Sequence, residues 1–363
     1  MGGAETLLRG LLREWKDDEH HVLVLEDRGV FSDAVEEVAS SVTHLGCKKS
    51  IKSLGKMLRG LRATVRRLRP DAVHSHLVQS DLVSLLCPMP GVRRYTSIHI
   101  SSMGPLDPLK SRIVAKIVAL LSKKFTGAIA TSDRSIDYME SVGYRCKAVV
   151  INNGTPRVDP IDYKPAQCTF LSLARFHGVK GHAVLVAAFA RHVQRHPSSR
   201  LICAGAGVTL ENPEFVASVG KSSQELSDAG KASFLGPETD IRSLFSRASA
   251  LVISSVGTET FPMVGSEACM HGVPVITTDV GGAKAFAMDE RWVVQPGSVA
   301  LLENAMNNFA EVSVQERAEL SEKSRRRALS DFDLSEVAAK YEALYLEFPT
   351  GRVDYSGIGH ERN

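Results

Sequence analysis

The chain contains 363 residues with a formal net charge of +3, and 44% of its residues are hydrophobic. Such a length favours two domains, and such a composition is typical of a globular protein with enough apolar residues for two cores. Other classes are disfavoured: the small net charge indicates no nucleic-acid partner, no apolar run approaches the ~20 residues of a membrane span, and the six cysteines form no C-x-x-C pair.

The N-terminal segment is predicted to be a helix, since Leu7, Leu11 and Trp15 fall on one helical face. Gly2 and Gly3 open directly into this helix, although a glycine-rich turn of this type normally follows a strand in a doubly wound sheet. The absent first strand would be central, so its two neighbours would lose hydrogen-bond partners. We therefore hypothesise that the given sequence begins inside the natural reading frame, with strand-forming codons directly upstream.

The rest of the chain alternates short apolar runs, rich in Val, Ile and Ala, with longer amphipathic runs. Because the apolar runs are mostly continuous, they predict strands buried on both faces of parallel sheets, with helices such as Lys180–His196 between them. The predicted strands are His21–Leu25, Ala72–His76, Tyr95–His99, Gly127–Thr131, Ala148–Ile151, Thr169–Ala174, Leu201–Ala204, Ala232–Leu235, Ala250–Ser254, Val273–Thr277 and Trp292–Val294.

A turn-rich segment predicts the domain boundary, because Asn152-Asn153-Gly154 is followed closely by Pro156 and Pro160. The sequence therefore predicts an N-terminal domain at residues 1–156 and a C-terminal domain at residues 157–333. The helix near residues 334–348 is too distant from the last strand to be another crossover, and we expect it to pack on the N-terminal domain. Residues 349–363 are polar and predict a flexible tail.

Two segments, Lys48–Arg69 and Lys110–Lys124, are rich in Lys and Arg and poor in acids. A basic cluster of this kind is found where a protein meets anionic lipid headgroups, and also on an ordinary solvated helix face. The first segment therefore predicts a possible peripheral membrane contact and leaves the solvated face as the alternative.

Two carboxylates, Glu259 and Glu267, stand eight positions apart around the predicted start of a helix that follows the strand Ala250–Ser254. We expect Glu259 in the loop and Glu267 about two turns into the helix. The amides of Met263 and Val264 would be unpaired first-turn donors with the helix dipole behind them, which attracts phosphate. Carboxylates beside such a site accept hydrogen bonds from sugar hydroxyls, whereas two functionless surface acids are the alternative interpretation.

Two cations, Arg175 and Lys180, occupy the predicted loop between the strand Thr169–Ala174 and the next helix. A strand-to-helix loop at the carboxyl end of a parallel sheet is a usual place for a diphosphate. Arg175 could engage the diphosphate with two parallel hydrogen bonds, while Lys180 would act as a point charge. The alternative is a generic pair of surface cations.

Taken in order, these pieces resemble the family-4 retaining glycosyltransferases of the GT-B fold, the group that builds bacterial polysaccharides and glycolipids. The similarity runs from Gly2 to about Leu346. The Glu-x7-Glu signature corresponds to Glu259–Glu267. Further similar segments are Asp71-Ala72-Val73-His74-Ser75-His76, Ile98-His99, Asn153-Gly154, Ala174-Arg175 through Lys180-Gly181, Phe234-Leu235-Gly236, Gly272-Val273-Pro274-Val275-Ile276 and Thr278-Asp279-Val280-Gly281-Gly282.

This resemblance implies two Rossmann-like doubly wound domains that face each other across a cleft, with the nucleotide sugar bound by the C-terminal domain. It implies that Glu259 holds hydroxyls of the transferred sugar and that Glu267 accepts from the ribose. Arg175 and Lys180 would neutralise the diphosphate as it leaves.

The amides of Met263 and Val264 would assist these cations. Gly2 and Gly3 would let the N-terminal backbone approach the donor phosphate, and His99 would lie near the far edge of the sugar. Two positions depart from the family pattern: residue 174 is Ala where Gly is usual, and Gly205-Ala206-Gly207 lacks an acid.

The resemblance also implies the chemistry. The enzyme would transfer a sugar from a nucleoside diphosphate to a saccharide or lipid-linked acceptor, with retention of configuration, in surface polysaccharide or glycolipid synthesis. It would need no metal and no cofactor, because the two cations replace a metal ion, in agreement with the absence of an Asp-x-Asp motif.

Several alternatives stay open at the level of sequence. A sugar-nucleotide-binding protein without turnover and a GT-B-fold sugar-nucleotide epimerase would share these motifs. An NAD-dependent dehydrogenase is disfavoured, since no Gly-x-Gly-x-x-Gly follows a strand. His74 and His76 point the same way on a strand without a third metal ligand, which favours a structural or cleft-lining role. The scattered cysteines suit a reducing cytoplasm, including the inner face of a membrane.

Overall fold

The computed structural model describes residues 3–16, 18–29, 32–103, 108–163, 168–257 and 259–346, together with the backbone of residues 353–354. The chain divides into two compact units: the first unit comprises residues 1–156 and 333–363, and the second unit comprises residues 157–332. Each unit is built on parallel β-sheet with helices packed against it, so the fold is α/β. Among the described helices, none is both long and apolar enough to cross a membrane.

The N-terminal part of the first unit contains, in chain order, α1 (Gly3–Glu14), β1 (His21–Val24), α2 (Ser32–Glu36), β2 (Ser41–His44), α3 (Leu54–Leu68), β3 (Ala72–His76), α4 (Val78–Leu86), β4 (Arg93–Ile98), α5 (Leu109–Leu121), β5 (Gly127–Ala130), α6 (Asp133–Val142) and β6 (Ala148–Val150).

The second unit contains β7 (Thr169–Leu173), α7 (His182–Arg195), β8 (Arg200–Ala204), α8 (Pro213–Val219), α9 (Ser222–Asp228), β9 (Ala232–Phe234), α10 (Ile241–Arg247), β10 (Ala250–Ile253), α11 (Met263–His271), β11 (Val275–Thr278), β12 (Val293–Val294), α12 (Val299–Glu311) and α13 (Val314–Asp331). The chain then returns to the first unit with α14 (Leu334–Leu346) and β13 (Val353–Asp354).

The first unit has a five-stranded sheet in the order β13-β6-β5-β4-β3 and a separate parallel pair, β1-β2. Among the described strands, β3 pairs with β4 alone. One face of the larger sheet is covered by the first and last helices: Ile129 and Val149 of the sheet pack in one cluster with Leu11 of α1 and Tyr341 of α14. Helix α14 is therefore part of the core of the first unit.

The second unit has a six-stranded parallel sheet in the order β12-β11-β10-β7-β8-β9. Neighbouring residues of its central strands point to opposite faces, so Phe170 and Val252 enter one core while Leu171 and Leu251 enter another. Since both faces are covered, the central strands are apolar without alternation, and this is why they could be recognised from the sequence.

The structure differs from the sequence prediction at several element boundaries. Strand β2 was missed, because Ser41–His44 is short and only one of its residues is strongly apolar. Trp292 belongs to a 3-10 turn, so β12 begins one residue later than predicted. The backbone of Val353–Asp354 pairs with β6 although a flexible tail was predicted there, and the rest of residues 347–363 lies outside the described residues.

Candidate functional site

The second unit has a topological switch point between β7 and β10. From β7 the chain proceeds to β8 and β9 on one side of the sheet, and it later returns to β10 on the other side before β11 and β12. The loops that leave the carboxyl ends of β7 and β10 therefore diverge, which opens the kind of crevice in which doubly wound proteins bind ligands. Arg175 and Lys180 lie in the first loop and Glu259 lies in the second.

An ion pair joins these two loops. Lys180 Nζ donates a hydrogen bond to Glu259 Oε1, and Ser255 Oγ donates to the same oxygen at 2.9 Å. The side chains of Lys180 and Glu259 are only 25% and 12% exposed, so water and salt screen their charges less than on an open surface. The sequence assigned the two groups to different parts of a ligand, whereas the structure places them in direct contact.

The backbones of the two loops are also tied together. Ser254 Oγ donates to the carbonyl oxygen of Lys180 at 3.0 Å, and the amide of Val256 donates to the carbonyl oxygen of Val179 at 2.8 Å. Gly181, which follows Lys180, has a φ of +68°, and a Cβ there would lie 2.0 Å from the carbonyl oxygen of Ser254. Glycine is required at this position because the loops approach too closely for a side chain. Lys180 is therefore held on a rigid support.

A third loop, which follows β11, packs against the backbone of Glu259. Gly281, just after β11, has a φ of +52°, and a Cβ there would lie 1.3 Å from the backbone oxygen of Glu259. The amide of Gly282 donates to the carbonyl oxygen of Thr260 at 2.8 Å. Gly281 and Gly282 belong to a segment that resembles the family, but the sequence alone indicates no role for them.

Arg175 lines a cavity of about 280 Å³ at the carboxyl ends of β7 and β8. Pro237 and Glu238, in the loop after β9, also line this cavity. Gly205 lets the chain pass close to β7, because a Cβ at this residue would lie 2.2 Å from the carbonyl oxygen of Ala174. The Arg175 side chain is exposed and forms no ion pair with any residue that the structure describes. A guanidinium in this state is ready to bind an anion.

The predicted phosphate-binding helix is α11 (Met263–His271), and Met263 and Val264 lie in its first turn as predicted. Within the described residues, the amides of Met263 and Val264 donate to no acceptor, whereas that of Gly265 donates to Pro262. Glu267 is the fifth residue of α11 and so lies about one turn into the helix rather than two. Burial raises the pKa of its carboxyl group above the usual range.

Three histidines meet in the first unit at the carboxyl ends of β3 and β4. The ring of His76 stacks on that of His74 at 4.6 Å, and His76 Nδ1 lies 3.2 Å from His99 Nε2. His74 contacts Ser97 Oγ and Tyr345 Oη, the latter from α14. Burial lowers the pKa of His74 to about 3 and that of His99 to about 4. His74 is thus structural, while His76, for which a structural or cleft-lining role was predicted, adjoins the predicted site residue His99.

Of the two N-terminal glycines predicted to contact the donor, the structure describes Gly3. Gly3 is the exposed first residue of α1, and Gly2 lies outside the described residues. Leu77, directly after His76, has a φ of +72° and a half-exposed side chain. A positive φ is rare for a branched residue and concentrates at functional sites. In the described ranges, no cluster of three His, Cys, Asp or Glu side chains is arranged to hold a metal ion.

Comparison with known proteins defines the class. The solved structure of Anabaena HepE in complex with UDP has a TM-score of 0.80 to this chain at 20% identity. The similarity covers 94% of this chain and 95% of the HepE chain. The lipopolysaccharide outer core galactosyltransferase WaaB has a TM-score of 0.71 at 16% identity, covering 95% and 96%. Two α/β units, each built on parallel β-sheet, are the architecture of the GT-B glycosyltransferases.

Sequence comparison defines the family. Residues 1–157 match the family described as Glycosyltransferase Family 4, and residues 162–327 match the one described as Glycosyl transferases group 1. Glycogen synthase of Mycobacterium tuberculosis is 26% identical over 311 residues, which are 79% of this chain and 71% of the synthase. The chain belongs to glycosyltransferase family 4, and it is an enzyme of the glycosyltransferase type.

Proposed function

We propose that the second unit binds a nucleoside diphosphate sugar at its switch point and transfers the sugar to a saccharide or lipid-linked acceptor. The observation that carries this proposal is the contact between Lys180 and Glu259, because a phosphate held by Lys180 would then lie beside sugar hydroxyls held by Glu259. The complexes of Anabaena HepE with UDP and with UDP-glucose make a uridine nucleotide the first donor to test.

The nucleoside end of the donor is proposed to occupy the cavity beside Arg175. Its volume of about 280 Å³ and its lining by Pro237 and Glu238 suit a flat ring with polar edges. The half-buried carboxyl of Glu267 would accept from the ribose hydroxyls, because a carboxylate can accept two hydrogen bonds from a vicinal diol.

The diphosphate is proposed to lie against Arg175, Lys180 and the first-turn amides of α11. As the bond between C1 of the sugar and the phosphate oxygen breaks, negative charge grows on the diphosphate. Fixed cations and amides aimed at this charge stabilise the transition state more than the ground state. These groups can supply the stabilisation that a metal would give elsewhere, so we propose a reaction that requires no metal.

The acceptor hydroxyl is proposed to attack the same face that the diphosphate leaves. A new bond forms between its oxygen and C1, and its proton passes to the leaving phosphate oxygen, which yields a product with retained configuration. No carboxylate nucleophile is needed in this scheme. The contact of His99 with the transferred sugar stays a prediction from family resemblance.

We also propose a cell-surface polysaccharide or glycolipid as the product and the cytoplasm as the location. WaaB, a lipopolysaccharide outer core galactosyltransferase, shares the fold. All six cysteines are free thiols, which suits a reducing compartment. The segment Lys48–Arg69 carries no acid, and its cations could meet anionic headgroups beside a lipid-linked acceptor.

The proposal is tested by replacing the two members of the ion pair. Lys180→Ala should weaken UDP binding about tenfold or more, because a charge-assisted hydrogen bond to phosphate is lost. Glu259→Gln should lower the rate of sugar transfer about 100-fold while UDP binding changes little, because this side chain is proposed to contact the sugar. Calorimetric titration with UDP and a radiolabelled transfer assay measure the two effects separately.

Lys221→Ala is the matched control, since Lys221 is an exposed lysine of the same unit outside the site. Its UDP binding and transfer rate should equal those of the unchanged protein. Unaltered UDP binding in Lys180→Ala would reject the site. Tight donor binding without transfer in the unchanged protein would favour a non-catalytic binding protein, and an altered sugar in the recovered nucleotide would favour an epimerase.

A further inference from the structure

Helix α5 of the first unit presents an apolar stripe to solvent. Leu109 is 66% exposed, Ile113 49%, Ile117 40% and Leu120 61%. These residues are spaced by four, four and three positions, so they share one face of the helix. Their side chains cover an arc of roughly 80° at about 100° per residue. Contiguous exposed apolar residues of this kind mark an interaction surface rather than ordinary scattered exposure.

The stripe is not needed to hold α5 in the fold. The opposite face of the helix is buried through Ala115, Val118 and Ala119, and Val118 packs in one cluster with Leu85 of α4 and with Phe125. A helix that has already buried one complete face gains no folding free energy from four large apolar side chains in water. Their presence therefore requires another explanation.

The charges around the stripe have a single sign. Residues 108–132 contain five cations and no acid. On a helical projection, Lys110 borders one side of the stripe, and Arg112 and Lys116 border the other. None of these three forms an ion pair with a described residue. Lys123 and Lys124 follow the C-terminal end of the helix, and Lys124 Nζ donates to the carbonyl oxygen of Leu85.

The neighbouring helix α3 adds to this charge. Helices α3 and α5 both pack against α4. Helix α3 also contains no acid, and its cations Arg59, Arg62 and Arg66 are exposed. The helical layer of the first unit therefore combines an apolar stripe on one helix with a surface on another helix whose charges are all positive.

We propose that α5 is a membrane-docking helix that lies in the plane of an anionic lipid surface. The stripe of Leu109, Ile113, Ile117 and Leu120 enters the boundary between headgroups and acyl chains, while the bordering cations contact lipid phosphates. An interfacial helix binds through both its buried apolar area and its attraction to anionic lipids, and α5 has both features. A second copy of this chain fits the surface poorly, because it would bring two cationic rims together.

This inference extends to helix α5 the membrane contact proposed above for Lys48–Arg69, and it does not depend on the proposed sugar transfer. The residues of α5 belong to the first unit, whereas Arg175, Lys180 and Glu267, which are proposed to bind UDP, belong to the second. Vesicle binding and UDP binding are therefore separate measurements, and either can fail while the other succeeds.

The first experiment is co-sedimentation of the full chain with vesicles. Vesicles of phosphatidylcholine with 30% phosphatidylglycerol should bind the protein, and vesicles of phosphatidylcholine alone should bind it at least about tenfold less. The double variant Ile113→Ser/Ile117→Ser should lower binding to the anionic vesicles about tenfold or more, and Lys110→Gln/Lys116→Gln should lower it severalfold.

The matched control is Leu301→Ser/Val314→Ser, which removes two apolar side chains of comparable exposure, 41% and 50%, from the second unit. Its vesicle binding should be unchanged. Thermal unfolding and UDP titration of every variant show whether the protein is still folded. Equal loss of vesicle binding in the control and the α5 variant would overturn the proposal, as would absence of binding to anionic vesicles by the unchanged protein.

The second experiment locates the helix in the lipid. Vesicles that carry brominated acyl chains should quench the tryptophan fluorescence of the Ile113→Trp variant. They should not quench the fluorescence of the Leu301→Trp variant. The chain has only two tryptophans, Trp15 and Trp292, and both are buried, so the new side chain dominates the change. Absence of quenching at residue 113 would overturn insertion of the stripe. Sedimentation of the unchanged protein as a dimer that Ile113→Ser/Ile117→Ser abolishes would assign the surface to a second copy instead.

Discussion

Gly281 shows how a single residue without a side chain can determine the position of a charged one. Its backbone passes so close to Glu259 that a Cβ would overlap the carbonyl oxygen of that residue at 1.3 Å. We predict that Gly281→Ala displaces the Glu259 loop and lowers the transfer rate at least about tenfold. The alanine also destabilises the fold by more than the ~1 kcal/mol that a left-handed conformation costs. Transfer kinetics and denaturant unfolding measure both effects.

Gly297→Ala is the control for this prediction. Gly297 has a similar left-handed conformation, with a φ of +79°, but no atom lies within 4 Å of the position that a Cβ would occupy. The free energy of unfolding of this variant should fall by the same ~1 kcal/mol, and its transfer rate should not change. If the two variants behave alike, the close approach to Glu259 has no part in the activity.

Helix α4 is attached to the first-unit sheet through a buried acid. Asp81 is 1% exposed, and its Oδ1 accepts from Ser75 Oγ of β3 at 2.6 Å and from Thr96 Oγ1 of β4 at 2.7 Å. Its Oδ2 has no partner among the described residues. Burial raises the pKa of Asp81 to about 7 despite the two hydrogen bonds. The protonated form is therefore the one that the folded element favours.

This pKa predicts a pH-dependent stability. A raised folded pKa contributes stability that is complete below the unfolded pKa and is lost as the pH rises through about 7. Asp81→Asn keeps an acceptor for Ser75 and Thr96 and does not titrate. The free energy of unfolding of the unchanged protein, minus that of Asp81→Asn, should fall by on the order of 2 kcal/mol between pH 5 and pH 7.

Urea unfolding at several pH values measures this difference. The buried histidines, whose pKa values are lowered, titrate in both proteins and cancel in the subtraction. A difference that stays constant from pH 5 to pH 7 would show that Asp81 does not change its protonation state on folding.

The two units of the molecule differ in how the chain forms them. The second unit is one continuous segment with its own cores on both sides of its sheet. Its last residue, Phe332, packs against Phe261 and Phe286 of the same unit. The first unit is discontinuous, because α14 supplies Leu334, Val337 and Tyr341 to its core.

We therefore predict that residues 157–332 fold alone and that residues 1–156 do not. The isolated second unit should unfold cooperatively on heating, and UDP should raise its midpoint, because a ligand that binds only the folded state stabilises it. Residues 1–156 would leave the apolar surface normally covered by α14 in water and should show no cooperative transition. Calorimetry of both fragments tests this, and a cooperative transition in residues 1–156 would contradict the role given to α14.

The local sequence pattern was sufficient to predict most of the strands and helices of this protein. Strands buried on both faces need continuous apolar runs, and amphipathic helices need a period near 3.6, so both are visible in short windows of sequence. The same holds for the motif around Glu259 and for the first-turn position of Met263 and Val264 in α11, because a loop and the first turn of a helix depend on residues a few positions apart. Strand β2 was missed for the same reason, since four residues with one strongly apolar member carry too little local signal.

Proximity between distant segments depended on strand order, which no short window encodes. Lys180 and Glu259 are 79 residues apart and meet because β7 and β10 are neighbours in the sheet. His76 meets His99 through the pairing of β3 with β4, and Gly281 reaches Glu259 because β11 lies beside β10. The exposed face of α5 likewise could be identified only from the tertiary structure, in which α4 packs against the other face. The sequence of an apolar helix does not show which side its neighbours bury.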